Sequence, residues 1–362
     1  MKRWWPVVVV VASVALAVAR YQSYVPGFDA MPDWIFTRSA WSGVDPYTTP
    51  WQEQAQGALD YGPASKTPAV AAVASPWLLV PVSWVPVVAL AVNIAALVGG
   101  VWLAFRINGR RVAWWVVAPV AAFSMVSLQL GNPIFVWVFL ALATWKLSQT
   151  RDAWWVGVPL GVAAAVRLWP GLLAVALWAQ GRRRSAVGAG VVAVGLNLAG
   201  LASPGVTLKG SINGLLEAGG AWSGHPADVS LLRLVGWRPA MAVIVAVAVA
   251  VAYKRGRMSE SAVLSVLAAP VAWATYWLVA LPAVIGLRSR WALLPVALIG
   301  LRPAWWTVPV GGLVVLALLL GVEVEVGDIA DPVGVDERGE SPRIGIGTEE
   351  EPEIVGGGSP PW

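Results

Sequence analysis

Pro86-Val-Val-Ala-Leu-Ala-Val-Asn93-Ile-Ala-Ala-Leu-Val-Gly-Gly100-Val-Trp-Leu-Ala-Phe105 is an apolar run of the length that crosses a bilayer, and Arg106-Ile-Asn-Gly-Arg110-Arg111 follows it directly. A span needs about 20 apolar residues, and a short basic hinge beside one is retained on the cytoplasmic side. The alternation recurs along the chain. Clear spans lie at 4–19, 86–105, 113–130, 133–147, 186–203 and 239–253. The hinges are Lys2-Arg3, Arg106 with Arg110-Arg111, Lys146 with Arg151, Arg182-Arg183-Arg184, Lys254-Arg255 with Arg257, and Arg288 with Arg290. Three further stretches, 153–181, 260–287 and 291–322, have a cytoplasmic marker at each end and a proline near the middle: Pro170, Pro282 and Pro303. Proline breaks the helix ladder, so each reads as a hairpin of short or re-entrant helices. The expected fold is an all-α integral membrane protein, a multi-pass bundle of about 10–12 transmembrane or re-entrant helices. It occupies residues 1–322, with extracytoplasmic loops over 21–84 and 204–238 and both termini cytoplasmic.

Composition agrees with a lipid solvent. Apolar residues make up 58% and charged residues 12% of the chain, against about 45–50% and about 25% in soluble domains. Many of the 24 Trp fall at the ends of apolar runs, as in the pairs Trp4-Trp5, Trp114-Trp115, Trp154-Trp155 and Trp305-Trp306. Such rings collect at headgroup depth. With no Cys and one His, thiolate chemistry and His-rich metal cages are excluded. From Glu323 onward there are eleven acids against Arg338 and Arg343, so the tail 323–362 reads as an acidic, disordered, cytoplasmic appendage. The remaining chain is basic, but its bases sit in hinges and orient spans; nucleic acid is not an expected partner. Met-Lys-Arg, an apolar run and Ala17-Val-Ala19 also have the form of a secretory signal. Either way the loop that follows lies outside.

That loop holds the sharpest chemistry: Asp33-Trp-Ile-Phe36-Thr-Arg38, then Gly43-Val-Asp45-Pro46-Tyr47. A carboxylate among aromatic rings beside a membrane suits a general base acting on a sugar. Asp-Trp-Ile-Phe also has the form of a helix N-cap. Asp45-Pro46 has the form of a turn. Arg167 interrupts an apolar run at the apex of the 153–181 hairpin. A membrane-embedded Arg is costly and faces a cavity, a partner or a ligand, for which an anionic lipid phosphate is the natural match. Snorkelling to headgroups is the competing account. His225, with Asp228 and Ser230, lies in the second outer loop, where a solvated role competes with a binding one. Gln129-Leu-Gly131-Asn132-Pro133 is a tight turn whose amides suit either sugar hydroxyls or capping. No phosphate-binding Gly-rich loop, metal-ligand spacing or serine-hydrolase elbow is present.

Several of these segments, in order, resemble the multi-pass GT-C glycosyltransferases, and within them the polyprenyl-phosphate-mannose-dependent mannosyltransferases of glycosyltransferase family 87. The family loop of the form Asp-x-x-x-Tyr, Ala, Gly-x-Asp-Pro-Tyr is similar to Asp33-Trp-Ile-Phe-Thr, Ala40 and Gly43-Val-Asp45-Pro-Tyr47. The Pro-rich element Thr67-Pro68 to Pro81, the Gly131-Asn132-Pro133 turn, and Gly161 to Arg167-Leu-Trp-Pro170 followed by Arg182–Arg184 resemble further family segments. Ala269-Pro270-Val-Ala-Trp273-Ala-Thr275-Tyr276-Trp277 resembles a late family motif. There the family His is Thr275, and the family's outer-loop Asn-x-Ser has Asp228-Val-Ser230 in its place. The resemblance implies an enzyme of the cell membrane with an extracytoplasmic site. It would transfer a hexose, mannose in this family, from a polyprenyl-phosphate carrier to a lipid or glycan acceptor with inversion. Asp33 would be the base, and Arg167, Asn132, Tyr47, Asp45, His225 and Tyr276 would line the substrates; no cofactor is implied. Two other classes remain. A transporter or flippase of lipid-linked sugars would need a polar pathway, for which the spans offer little beyond Asn93, Asn197 and Arg167. A non-catalytic assembly subunit is compatible with Thr275.

Overall fold

The computed structural model describes residues 30–47, 66–214, 238–269, 274–286 and 307–321, together with 8, 11–13 and 15 of the first apolar run. His225, Asp228, Ser230 and the 323–362 tail lie outside the described residues. All regular structure among the described residues is helical. The helices are α1 (Ala30–Trp41), α2 (Ala69–Val73), α3 (Val85–Ile107), α4 (Trp114–Leu130), α5 (Ile134–Ser148), α6 (Val158–Val166), α7 (Gly171–Ala179), α8 (Arg183–Leu201), α9 (Arg238–Arg255), α10 (Met258–Leu267), α11 (Leu281–Gly286) and α12 (Thr307–Gly321). Tight 3-10 turns cover Ser75–Leu79, Val82–Trp84, Trp154–Gly157 and Ala274–Ala280.

Among the described residues two helical segments, Val82–Ile107 and Arg183–Leu201, are long and apolar enough to cross a membrane singly. At 1.5 Å per residue the 23 residues of α3 reach about 34 Å. The expected separate spans at 113–130 and 133–147 instead join at a sharp corner: Ser124–Leu130 and Ile134–Ser148 are bent by 118°. Gly131 makes the corner by taking φ +71°, a left-handed conformation open to glycine, while Asn132 N–H closes back onto the Ser127 carbonyl at 3.0 Å. On the outer surfaces of α3 and α8, Val87, Leu90, Ile94 and Val98, and Val187, Val191, Val194 and Leu198, stand exposed. Soluble monomers rarely leave apolar stripes of that extent in water, so these faces support a membrane setting.

The 153–181 stretch forms the expected hairpin. Gly157 lies against Ser185, Gly161 against Ala189 and Val192, and Ala165 against Asn197, so α6 runs beside α8 in the same direction. The chain between them must therefore return, and α7 is that return limb. The approach is backbone to backbone. A Cβ on Gly188 would sit 2.0 Å from the Trp154 carbonyl oxygen, and one on Gly157 would sit 1.9 Å from that of Ser185. Small residues permit such contact, as at helix crossings within bilayers.

One end of the bundle collects the basic hinges. Lys146 donates to the Arg106 carbonyl at 3.0 Å, and Gln149 to the Ile107 carbonyl at 3.0 Å, closing the end of α3. Asp152 accepts from the Ser185 N–H at 2.9 Å, the Ser185 hydroxyl at 2.8 Å and the Arg184 N–H at 3.4 Å, capping α8. Arg255 grips the buried Glu260 with Nε at 3.0 Å and a second nitrogen at 3.1 Å. Three arginines at this end lie over indoles: Arg106 on Trp102, Arg151 on Trp155 and Arg183 on Trp178.

The Asp152 cap gives a pH signature. Burial acts to raise this carboxyl, but the Ser185 and Arg184 hydrogen bonds and the nearby Arg182 charge outweigh it and hold it below the usual carboxylate range. A folded value lowered in this way contributes stability that is present above the unfolded value and lost as pH falls through the folded one. Asp152→Ala is therefore expected to lower stability at pH 7 by about 1 kcal/mol, the size of a lost helix cap, seen as a lower melting temperature. The gap between wild type and variant should narrow below about pH 4. A gap that persists undiminished in acid would mean that the carboxylate charge is not what holds α8.

Candidate functional site

The opposite end of the bundle gathers most of the described residues singled out in the sequence. Asp33 was expected in a loop, with helix-cap form; it lies instead in the first turn of α1. Ala30, Met31 and Pro32 build that turn ahead of it, where proline is tolerated and an acid favoured by the helix dipole. Thr37 donates to the Asp33 carbonyl at 2.7 Å, and Arg38 closes the last turn while lying over Trp34. Trp41 then ties α1 to α2 by donating from Nε1 to the Ala71 carbonyl at 2.9 Å.

The Asp33 carboxylate forms an ion pair with the ammonium of Lys66, and both side chains are largely buried, 15% and 14% exposed. Lys66 was not foreseen. Its signal is a lysine in a loop expected outside, against the bias that keeps bases on the cytoplasmic side. Its backbone is fixed from two directions. Tyr47 donates its hydroxyl to the Lys66 carbonyl at 3.1 Å and accepts from Ser211 at 3.1 Å. The next residue, Thr67, donates to the Ala165 carbonyl at 2.6 Å. The Ala69 N–H bonds to Asn197 at 3.3 Å, and the Pro68 carbonyl lies where a Cβ on Gly200 would be, at 1.9 Å. Burial above all pushes the Tyr47 phenol up to about 12, with the Asp45 charge adding to it and the Ser211 bond opposing. The phenol is therefore a protonated donor at any physiological pH. Asp45 accepts from the Tyr47 N–H at 2.9 Å, the turn expected of Asp-Pro.

Ala165 leads directly to Arg167. Here α6 ends, and the Arg167 backbone is extended at φ −134°, ψ 112°, with its N–H on the Ala163 carbonyl at 2.9 Å. The guanidinium Nε is buried and has no hydrogen-bond partner among the described residues. Two residues on, Trp169 stacks on Tyr276 with centroids 5.2 Å apart and planes at 26°. Beside Tyr276, the Thr275 hydroxyl meets Ser127 at 3.5 Å, close to the Gly131-Asn132 corner. Asn132 itself accepts from the Ile134 N–H at 3.1 Å, so its capping role is the visible one. The Asp33–Lys66 segments, the Arg167 break, the corner and the Thr275-Tyr276 segment thus meet in one connected cluster. A small apolar crevice lined by Leu97, Gly100, Phe135, Val138, Leu142 and Leu278 lies between α3 and α5. Among the described residues no three His, Asp or Glu side chains gather as metal ligands.

What the cluster offers is a carboxylate, two cations and stacked rings at one end of an apolar bundle. This suits transfer of a hydroxylated group from an anionic lipid. No curated protein and no solved structure matches the chain. The family model for glycosyltransferase family 87 matches residues 67–267, more than half of the chain and most of the helices that carry this cluster. The protein therefore belongs to glycosyltransferase family 87.

Proposed function

We propose that this glycosyltransferase moves a hexose, mannose by family analogy, from a polyprenyl monophosphate carrier to a lipid or glycan acceptor outside the cytoplasmic membrane. Asp33 acts as the base. It takes the proton of an acceptor hydroxyl as the oxygen attacks the anomeric carbon, and the bond from that carbon to the phosphate oxygen breaks. The electron pair leaves with the polyprenyl phosphate, whose charge Arg167 neutralises, and attack from the opposite face inverts the centre. The observation that carries this reading is the continuity of Asp33, Lys66, Thr67, Ala165 and Arg167. It links the carboxylate to a guanidinium whose Nε is buried and has no partner among the described residues. Tyr47, Asp45 and Asn132 shape the surrounding backbone, and Tyr276 with Trp169 supplies rings for the sugar or lipid.

Membranes containing the protein, supplied with radiolabelled polyprenyl-phosphate mannose or with a labelled nucleotide-mannose, separate the donor classes. Label should pass to a new product from the lipid donor alone. Transfer from the nucleotide sugar only would overturn the assignment.

The bundle is further proposed to cross the membrane about 10–12 times, with the basic end cytoplasmic and the Asp33 end outside. The chain has no Cys, so single cysteines report cleanly. Ser42, exposed after α1, and Thr150, exposed after α5, lie at opposite ends. In intact cells an impermeant thiol reagent should label Ser42→Cys and spare Thr150→Cys. The reverse pattern would invert the topology and remove the site from the outer face.

A further inference from the structure

We propose that Lys66 is a positioning residue that couples the base to donor occupancy: its ammonium pairs with Asp33 in the empty site and transfers to the donor phosphate in the loaded one. This rests on the donor reading given above and adds a residue and an order of events to it.

Three observations lead there. The Lys66 ammonium and the Asp33 carboxylate pair directly while both are mostly withdrawn from solvent. A base already engaged by a cation is held back from an acceptor proton, so catalysis requires the pair to part. The Lys66 backbone does not need to move for that. Tyr47 holds its carbonyl and Thr67 anchors the following residue to Ala165, leaving only the four-carbon side chain free to swing. The anchor on Ala165 also holds the Lys66 backbone beside the end of α6. Two residues further along is Arg167, with a buried Nε and no partner among the described residues. A phosphate held by that guanidinium is the counter-charge available to draw Lys66 away. An ammonium is suited to this exchange because it recognises charge without the fixed bidentate geometry of a guanidinium. Loading the donor would thus release the carboxylate at the moment the sugar arrives, and an empty enzyme would keep its base closed to water.

The exchange predicts a coupling between the Asp33 and Lys66 substitutions that a static ion pair does not give. The probe is farnesyl phosphate, with farnesol as the uncharged control. Both are titrated into the purified full-length protein in nanodiscs and followed by Trp fluorescence. Lys66→Gln should weaken farnesyl phosphate binding about tenfold, the size of one charge-assisted hydrogen bond. Asp33→Asn should tighten it by about three- to tenfold, because no ion pair must then be broken. The double variant should match Lys66→Gln, and Lys66→Arg should fall between Lys66→Gln and wild type, since it keeps the charge and loses the adaptable geometry. Farnesol should distinguish none of them. In turnover, Lys66→Gln should raise KM for the donor more than it lowers kcat. Should Lys66→Gln not fold, Lys66→Met takes its place in the single and the double variant, and a double variant that binds like wild type would mean that the two charges act independently. Unchanged or weaker binding by Asp33→Asn would reduce the pair to a fixed structural contact. If wild type fails to bind farnesyl phosphate at all, the donor reading falls and the exchange with it.

Discussion

Asp33→Asn should cut sugar transfer by about 10²–10⁴-fold, the range a general base contributes, in a protein that still inserts and still binds the donor. The substitution keeps the size of the side chain and its place in the first turn of α1, where Ala30, Met31 and Pro32 precede it. It removes the charge that pairs with Lys66 and the capacity to take a proton. A merely structural Asp33 would show itself differently. Breaking a largely buried ion pair leaves an uncompensated lysine, and the cost would appear as lost stability with proportionate loss of activity. The two outcomes separate when thermal unfolding and single-turnover transfer are measured on the same preparation. Asp45→Asn is the internal control, since its carboxylate accepts from the Tyr47 N–H in a turn and Asn makes the same bond. It should transfer sugar within a few-fold of wild type. Near-normal transfer by Asp33→Asn would remove Asp33 as base and favour a carrier of lipid-linked sugars or an assembly subunit.

The helices were largely legible because their signal is cheap to read. Apolar runs bounded by basic hinges set α3, α8 and α9 to within a few residues, and a central proline with Arg167 marked the turn between α6 and α7. Two features were not. The segment that became α1 is short and mixed in polarity, and Pro32 and the aromatic residues around Asp33 suggested a loop; its helicity comes from packing on α2 through Trp41 and on the start of α3. The 118° corner between α4 and α5 was visible as a Gly-Asn-Pro turn, but its angle depends on what the two limbs pack against. The site divides in the same way. Asp33 and Arg167 stood out because each is a charge at odds with its surroundings. The link between them runs through Lys66 to Asp33, 33 residues apart, and Thr67 to Ala165, 98 residues apart. No local pattern carries contacts at those separations; they exist only once α6 and α8 lie side by side. The family resemblance supplied the order of the motifs, and the fold supplied their meeting.

Arg167→Gln should lower kcat/KM by about 10- to 100-fold, the value of charged hydrogen bonds to a phosphate, with most of the loss in donor KM. Arg167→Lys should retain more, because an ammonium can still meet the phosphate as a point charge although it loses the forked geometry. Stability should move the other way. The guanidinium Nε is buried and has no partner among the described residues, in a stretch of backbone that has just left α6. Such a donor costs stability until a ligand satisfies it, so Arg167→Gln should unfold at the same temperature as wild type or higher. Adding farnesyl phosphate should then raise the melting temperature of wild type more than that of the variant, since the ligand satisfies a group only wild type has. An arginine that merely snorkels to headgroups predicts neither result. It gives mild, equal effects of Lys and Gln on transfer and the same ligand-induced stabilisation in both, and that pattern would take the phosphate contact away from Arg167.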